Sequence, residues 1–395
     1  MYILVIIHRL TWTSFILLLF CRIGKYVVRG TFHSPSLNSF SRYTFTKNNS
    51  FKHSDIRQTS TITILTSDKI SHLRTYRQML TATQDDDELA LKYLQRIGFA
   101  SEDISSLVDS SYQPSSEGLQ RLLTAHLLHV PFENMDQHTH PAGVESDIGD
   151  TDTLQIKRKK NLPSLDVKRS LNKIINKRRG GFCYEVNLSF CWLLRKLGFK
   201  ARLLVADVSC KQNIPAHVVI LVDELNYDKC NDGGFDKQIP ILVDVGFGCP
   251  GVCDVILPLK YDEICSDFHG DLFRFDKKQS EFPLHKERFD TVLYRTRIDT
   301  QCEEPMYRFH SKDDLDYYAP EFQNGLEYVL TTSPTFNEKR LCVISTEKGH
   351  ITLGSNYVKF VEQWEVVHEE TFSSEKDWRY ALLKYFGVKL VIEDE

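Results

Sequence analysis

Apolar residues recur at helical spacing through the first half of the folded sequence. Acidic residues open the segment 85–98, where the positive end of a helix dipole favours them, and leucine and isoleucine follow with a helical period to Gly98. Leucines in 119–127 mark a second helix that ends before Pro131. Residues 184–197 bring apolar side chains to one helical face and precede Gly198. The pattern predicts a helical region.

The pattern changes after Gly198, where short runs rich in β-branched residues alternate with polar turns. Residues 201–208, 217–223 and 240–247 are typical of strands. Five more strands and a closing helix are predicted further on, near residues 272–276, 291–297, 327–332, 341–346 and 357–366, and over 375–386. Helices followed by strands and then a mixed segment indicate an α+β fold rather than alternating βαβ units.

Residues 1–87 have a different character. Residues 3–20 are apolar but interrupted by His8 and Arg9, which makes them borderline for a membrane span. A basic stretch without acidic residues follows to Ser54, as in transit peptides. Three interpretations of residues 1–54 stay open: an organelle transit peptide, a signal anchor, or untranslated sequence wrongly joined to the gene. In each case we expect 1–87 to be a disordered or targeting extension.

Composition and charge narrow the function classes. The 395 residues exceed what one compact core usually holds, and 42% apolar with 26% charged residues is typical of a globular protein. This excludes a multi-spanning membrane protein, a collagen-like chain and a wholly disordered one. The net charge of −4 gives no case for nucleic-acid binding. Residues 1–54 carry seven basic and no acidic residues, so the rest of the chain is acidic.

The ten cysteines are scattered and form no CxxC pair. Cys249 and Cys253 are close in sequence, but no matching second pair accompanies them, so no metal site is predicted. Scattered cysteines in a long chain indicate buried thiols in a reducing compartment. We therefore expect a cytoplasmic catalytic core whose domains are not membrane-bound.

Cys183 stands out by its surroundings. Gly180 and Gly181 permit a tight turn immediately before a predicted helix, and Cys183 then lies at the helix N-terminus. Free backbone N–H groups and the positive dipole end favour a thiolate there. The alternative is a buried cysteine behind a turn, which has no need of this placement.

A thiolate nucleophile needs a base, and the base needs an orienting acceptor. His217 opens an apolar strand, and Asp244 interrupts another between two valines, where a buried carboxylate must be paired. Taken singly, each has an ordinary alternative: a surface or core histidine, and an aspartate facing water. Together with Cys183, at separations of 34 and 27 residues, they form a papain-like order of cysteine, histidine and acid.

Several segments together resemble the arylamine N-acetyltransferase family. The matching segments are RRGGFCYE (178–185) followed by Asn187, AHVVILVD (216–223), ILVDVGFG (241–248), YLQRIGF (93–99), VPFENM (130–135) and TSPTF (332–336). The resemblance extends over 303 residues, from Tyr93 to the end. It implies a helical bundle over 88–198 with the cysteine, an antiparallel β-barrel over 199–325 with the histidine and aspartate, and an α/β lid over 326–395.

The resemblance also implies an activity. The family transfers acetyl from acetyl-CoA to an arylamine, arylhydrazine or N-hydroxyarylamine by a ping-pong mechanism, in xenobiotic metabolism. Cys183 would carry the acetyl group as a thioester, His217 would move the proton and Asp244 would hold the imidazole. The expected partners are the small-molecule amine and acyl-CoA, without metal or nucleic acid. The oligomeric state stays open.

Further site residues follow from the same resemblance. The residues expected to bind the cofactor are Gly246, Gly248, Tyr328 and Thr335. Those expected to bind the amine are Phe132, Ala216 and Phe247, and a buried pair of Arg179 and Glu133 is expected to support the site. The segments 137–166 and 224–240 are longer than is usual for the family, so the substrate is not fixed by the resemblance.

Two other functions compete with acetyl transfer. A papain-like or transglutaminase-like hydrolase would use the same triad, but the matches outside the triad argue against it. A binding module without activity has no chemical need for Cys183, His217 and Asp244 together.

Overall fold

The computed structural model describes residues 42–46, 59–63, 85–108, 112–138, 162–208, 210, 214–225, 238–261, 263–277, 289–317 and 319–390. The chain divides into two compact units between Asp86 and Asp87. In the first unit, β1 (Arg42–Thr46) pairs antiparallel with β2 (Thr59–Thr63), a hairpin that sequence patterning does not predict. Among the helices of the described residues, none has both the length and the apolar character needed to span a membrane.

Three predicted segments lie outside the described residues. They are the apolar run 3–20, most of the long segment 137–166, and most of the segment 224–240.

The helices up to the first long strand surround one apolar core. They are α1 (85–96), α2 (Ser101–Val108), α3 (Ser116–His129), α4 (Met135–His138), α5 (Val167–Ile175) and α6 (Cys183–Lys196). Side-chain caps start two of them, because Ser115 accepts from the N–H of Gly118 and Asp166 accepts from those of Lys168 and Arg169. Eleven of the fourteen residues of α6 are buried, so α6 is the central helix.

An eight-stranded antiparallel sheet follows and is nearly closed into a barrel. Its order is β7-β6-β5-β4-β11-β10-β9-β8, with β4 (Lys200–Asp207), β5 (His217–Asp223), β6 (Ile241–Val243), β7 (Leu257–Pro258), β8 (Ile264–Ser266), β9 (Leu272–Asp276), β10 (Thr291–Thr296) and β11 (Glu303–Phe309). One face of β4 and β5 packs in the helical core and the other packs inside the barrel. Burial on both faces explains why these strands are continuous apolar runs in the sequence.

A second sheet and three helices complete the chain. They are α7 (Pro320–Thr331), α8 (Pro334–Asn337), β12 (Cys342–Thr346), β13 (Gly349–Leu353), β14 (Tyr357–Glu362), β15 (Glu365–Thr371) and α9 (Glu375–Phe386). The sheet order is β15-β14-β13-β12-β3, and its last strand, β3 (Phe132–Glu133), comes from the helical region. The predicted α+β order of helices, strands and a mixed segment is confirmed.

The predicted strand at 327–332 is wrong, because these residues belong to α7 and the turn that follows it. Pro320 occupies the first turn of α7, where its fixed φ suits a helix. The buried residues of α7 are Phe322, Gly325 and Val329, at a helical spacing. Residues 328–332 are mostly aromatic or β-branched, which is typical of a strand. The helical spacing of the buried residues shows that they belong to the end of a helix. The predicted domain boundary between residues 325 and 326 lies inside α7.

Candidate active site

Cys183 is the first residue of α6, directly after a Gly-Gly turn that only glycine can form. A Cβ at Gly180 would lie 1.7 Å from the carbonyl oxygen of Pro131, and one at Gly181 would lie 2.5 Å from a carboxylate oxygen of Glu185. Cys183 is buried, and its thiol donates to the carbonyl oxygen of Ala216 at 3.8 Å. The predicted nucleophile therefore lies at the N-terminus of α6, as the sequence indicated.

His217 opens β5 and lies between the other two predicted residues. Its Nε2 is 2.7 Å from Oδ2 of Asp244, and Cys183 is close enough to contribute to the pKa of the ring. Burial by itself would lower the pKa of His217, but the Asp244 charge, the hydrogen bond to Asp244 and the contribution of Cys183 raise it to about 10. The imidazole is therefore charged at neutral pH.

Asp244 follows β6 and is held by several donors. Its Oδ1 accepts from Nδ2 of Asn187 at 2.8 Å and from the N–H of Gly246 at 2.8 Å. Burial would raise the pKa of Asp244, but the charge and hydrogen bond of His217 and these two donors hold it below its usual value. The pairing that a carboxylate between valines requires is present.

Asn187 is a residue of this site to which sequence reasoning gave no role. It lies one helical turn after Cys183, so both side chains leave α6 on the same face. Its Nδ2 also donates to the carbonyl oxygen of Val218 at 2.7 Å, and its Oδ1 accepts from the N–H of Val245 at 2.9 Å. Asn187 thus connects α6 to β5 and to the loop that follows β6. A polar residue within an apolar helix was the available signal.

Tyr307 on β11 is a second residue that sequence reasoning missed. Its ring centroid is 5.3 Å from that of His217 and 5.5 Å from that of Phe247. Burial raises the pKa of Tyr307 well above its usual value. The negative charge of Asp244 and the interaction of the Tyr307 hydroxyl with that carboxylate raise the pKa of Tyr307 further. Nothing in the local sequence of β11 marks this residue, because only the sheet order brings it to the site.

The three residues predicted to bind the amine lie at different depths around Cys183. Ala216 contacts the thiol through its carbonyl oxygen, and the Phe247 ring meets the His217 ring edge-on with centroids 5.5 Å apart. Phe132 lies farther out, with its ring centroid 6.1 Å from that of Phe336. Phe336 also contacts Phe182 and was not predicted.

The four residues predicted to bind the cofactor separate into two groups. Gly246 lies against the nucleophile, because a Cβ there would be 2.8 Å from the Cα of Cys183, and Gly248, with φ +79°, faces the ring of Phe132. Tyr328 is half-buried on α7, and Thr335 is exposed on α8. Within the described residues, no hydrogen bond, ion pair or ring contact links either of them to the triad.

A small open pocket lies between the loop after β6 and the second sheet. Its lining includes Cys249, His269, Lys348, His350 and Trp364, and none of the four predicted cofactor residues belongs to it. The described residues hold no cluster of His, Cys, Asp or Glu arranged to bind a metal ion.

Arg179 and Glu133 form the predicted buried pair. Nε and Nη2 of Arg179 donate to Oε1 and Oε2 of Glu133, both at 3.0 Å, and Oε2 also accepts from the N–H of Met135. Burial would raise the pKa of Glu133, but Arg179 and Lys173 lower it to about 2. Lys173 and Asp136, which also contact this pair, were not predicted.

Comparison with known proteins identifies the family. The family model described as N-acetyltransferase matches residues 116–394. A chicken arylamine N-acetyltransferase, the pineal gland isozyme NAT-3, is 32% identical over 35% of this chain and 39% of its own length. Mouse arylamine N-acetyltransferase 1 is 23% identical over 75% of this chain and 93% of its own length.

A solved structure extends the similarity to the fold. The Mycobacterium marinum arylamine N-acetyltransferase in complex with CoA aligns with a TM-score of 0.54 and 20% identity, over 75% of this chain and 91% of that one. Since the family model covers most of the chain and the fold agrees, the chain belongs to the arylamine N-acetyltransferase family of acyltransferases.

Proposed function

We propose that the protein transfers an acetyl group from acetyl-CoA to an arylamine, arylhydrazine or N-hydroxyarylamine through a thioester on Cys183. The observation that carries the proposal is Cys183 at a helix N-terminus, with a thiol that donates to the residue before His217 and a His217 ring that Asp244 holds at 2.7 Å and keeps charged. The CoA bound to the M. marinum relative supports the choice of donor. The ring of Phe247, which meets the His217 ring, and that of Phe132, which meets the Phe336 ring, offer aromatic surface for an aryl group.

In the first half-reaction the Cys183 thiolate attacks the thioester carbonyl of acetyl-CoA. The bond between that carbon and the CoA sulfur breaks, and the leaving thiolate takes the proton from Nδ1 of His217, because Nε2 is bonded to Asp244. One thioester replaces another, so this step is close to isoenergetic. The products are acetyl-Cys183, neutral His217 and CoA.

In the second half-reaction the amine nitrogen attacks the acetyl-Cys183 carbonyl. Neutral His217 accepts the proton of the amine, and the Cys183 thiolate leaves, so the thiolate and the imidazolium are both restored. Asp244 stabilises the imidazolium and fixes the ring through Nε2. Asn187 and the N–H of Gly246 keep Asp244 in place through both steps.

The test measures CoA release over a panel of arylamines and arylhydrazines, together with mass spectrometry of the Cys183 peptide. We expect amine-dependent CoA release, an acetyl adduct on Cys183 in the absence of amine, and loss of both in Cys183→Ser. Continued CoA release without an amine, beyond the one equivalent that accompanies formation of the adduct, would favour a hydrolase. Absence of the adduct with intact fold would contradict the thioester mechanism.

A further inference from the structure

Five buried or nearly buried charged side chains form a cluster beside the first turn of α6. They are Glu133, Asp136, Lys173, Arg179 and Glu185. Three carboxylates meet two cations, so the cluster has an excess of negative charge. The support pair of Arg179 and Glu133 is one part of it, and the other part is centred on Lys173, for which the proposed mechanism has no use.

Lys173 lies on α5 with only 8% of its side chain exposed. Its Nζ is 2.9 Å and 3.0 Å from the two carboxylate oxygens of Glu185, 2.8 Å from Oδ2 of Asp136 and 3.5 Å from Oε1 of Glu133. In the described part of the chain, Lys173 is the one cation within ion-pair distance of Glu185. Burying a lysine is costly unless its charge is matched in this way.

Glu185 connects this cluster to the nucleophile. It is the third residue of α6, and its Oε2 accepts from the N–H of Phe182, the residue before Cys183, at 3.4 Å. Its side chain also lies directly over Gly181. A carboxylate binds an N–H more strongly than a protonated carboxyl does. The charge of Glu185 therefore affects how firmly the turn before Cys183 is held.

The protonation of Glu185 depends on Lys173. Burial raises the pKa of Glu185, the Lys173 charge lowers it, and the carboxylates of Asp136 and Glu133 raise it again, which leaves it at about 7. These three are the charged groups that face Glu185 from α5, α4 and β3. Without the ammonium group, burial and two like charges would outweigh the N–H of Phe182, and the pKa of Glu185 would rise further, toward the protonated form at neutral pH.

We propose that Lys173 is a positioning residue for the acetyl transfer proposed above: its ammonium group favours the ionised form of Glu185, and Glu185 in turn holds the turn that places the Cys183 thiol at the helix N-terminus. The proposal rests on the proposed function, but its structural part does not depend on which acyl group is transferred.

The test is the pH dependence of Cys183 alkylation by iodoacetamide in the full chain, followed by peptide mass spectrometry. The exposed Cys302 reports any change in reagent reactivity within the same sample. The variants are Lys173→Met, Glu185→Gln and the two combined, with Lys173→Arg to restore the charge. Lys168→Met removes an exposed charge from the same helix and is the matched control. Alkylation needs no acyl donor, so this result is separate from any failure of acetyl transfer.

We expect Lys173→Met to move the acid side of the Cys183 profile upward by about one pH unit, which is about five-fold slower alkylation at pH 7 and nearly ten-fold slower at more acidic pH. Lys173→Arg and Lys168→Met should keep the wild-type profile. In Glu185→Gln, alkylation of Cys183 should be slow and its rate should show no rise near pH 7. Combining Glu185→Gln with Lys173→Met should shift the pH profile of Cys183 alkylation no further.

An equal shift from Lys173→Met with and without Glu185→Gln would mean that the ammonium acts directly on the thiol, and this would overturn the proposal. An unchanged profile in Lys173→Met would overturn it as well. If circular dichroism shows that Lys173→Met does not fold, Glu185→Gln decides alone, because a wild-type rate and profile in that variant leaves Glu185 no positioning role.

Discussion

The carboxylate of Asp244 has partners in four different parts of the chain. His217 donates from β5, Asn187 from α6 and Gly246 from the loop after β6, while Tyr307 approaches from β11. The sequence shows that a carboxylate between two valines needs partners, and it identifies His217 as one of them. It cannot show the other three, because they meet Asp244 only after the helix and the sheet have packed together.

Asp244→Asn should remove the main cause of the raised pKa of His217 and leave burial, which lowers it. The imidazole would then be neutral at pH 7, and both Cys183 alkylation and single-turnover acetylation should fall by a factor on the order of 10³–10⁴.

In the wild type, the His217 pKa is raised from 6.5 to about 10. The contribution of this pair to the free energy of unfolding is therefore complete below pH 6.5 and is lost as pH rises through about 10.

The matched control for this change is Asp207→Asn, which neutralises another buried carboxylate of the barrel, 2.8 Å from Arg308. It should lower the free energy of unfolding and leave the pH dependence of Cys183 alkylation unchanged. Equal effects of the two variants on the rate profile would show that His217 does not depend on Asp244.

Among the elements, those with a strong local period were predicted well and those defined by long-range contact were not. The strand at 272–276 and the helix at 375–386 agree with the structure to the residue. The short strand β3 has no periodicity of its own and exists only because β12 pairs with it. The helix α7 was mistaken for a strand at its end, where local residue preferences oppose the burial pattern.

Helix α7 supports the site through Gly325. A Cβ at Gly325 would lie 1.9 Å from both the carbonyl oxygen of Pro215 and Oη of Tyr184, and Tyr184 itself donates to that oxygen at 2.5 Å. Pro215 precedes His217 by two residues. Gly325→Ala should therefore destabilise the protein by about 1–3 kcal/mol and slow acetylation, although alanine favours helices.

The control is Asn324→Ala, an exposed position on the same helix where alanine should be neutral or stabilising. Urea unfolding and single-turnover rates compare the two variants. A Gly325→Ala protein as stable and active as Asn324→Ala would mean that α7 does not constrain the segment before His217.

The pair of Arg179 and Glu133 connects the Gly-Gly turn to β3, and so to the edge of the second sheet. Replacing either residue by alanine leaves a buried charge short of a partner and should cost about 3–5 kcal/mol in the free energy of unfolding. A double-mutant cycle should give a coupling of about 1 kcal/mol or more.

The exposed pair of Arg340 and Glu375, 2.8 Å apart, serves as the control for that cycle, and its coupling should stay below about 1 kcal/mol. Additive losses at Arg179 and Glu133 would show that Lys173 and Asp136 take over the interaction, and that the pair is not a unit by itself.

For the whole molecule, the sequence predicted the order of helices, strands and mixed segment that the structure has, but not the connections between these parts. The residues that carry the candidate site come from the helical region, the barrel-like sheet and the loops between them. β3 belongs to the predicted helical domain but is a strand of the second sheet. Helix α7 crosses the predicted boundary between the barrel and the lid. Local patterns predict elements, whereas such sharing depends on tertiary packing.

The last prediction concerns residues 1–78. The compact unit that holds the candidate site begins at Asp87, and the family match begins at residue 116. Residues 30–60 have no apolar period that could join a core, and the chain before Asp55 has no acidic residue. A protein starting at Met79 should therefore fold and acetylate an arylamine at the full-length rate. A protein starting at Gly98 is the control: it lacks α1 and Ile97, and with them the fully buried side chains of Tyr93, Leu94 and Ile97, so it should fail to fold. If the Met79 protein is folded by circular dichroism but inactive, residues before Met79 belong to the enzyme, and the boundary inferred from the sequence is wrong.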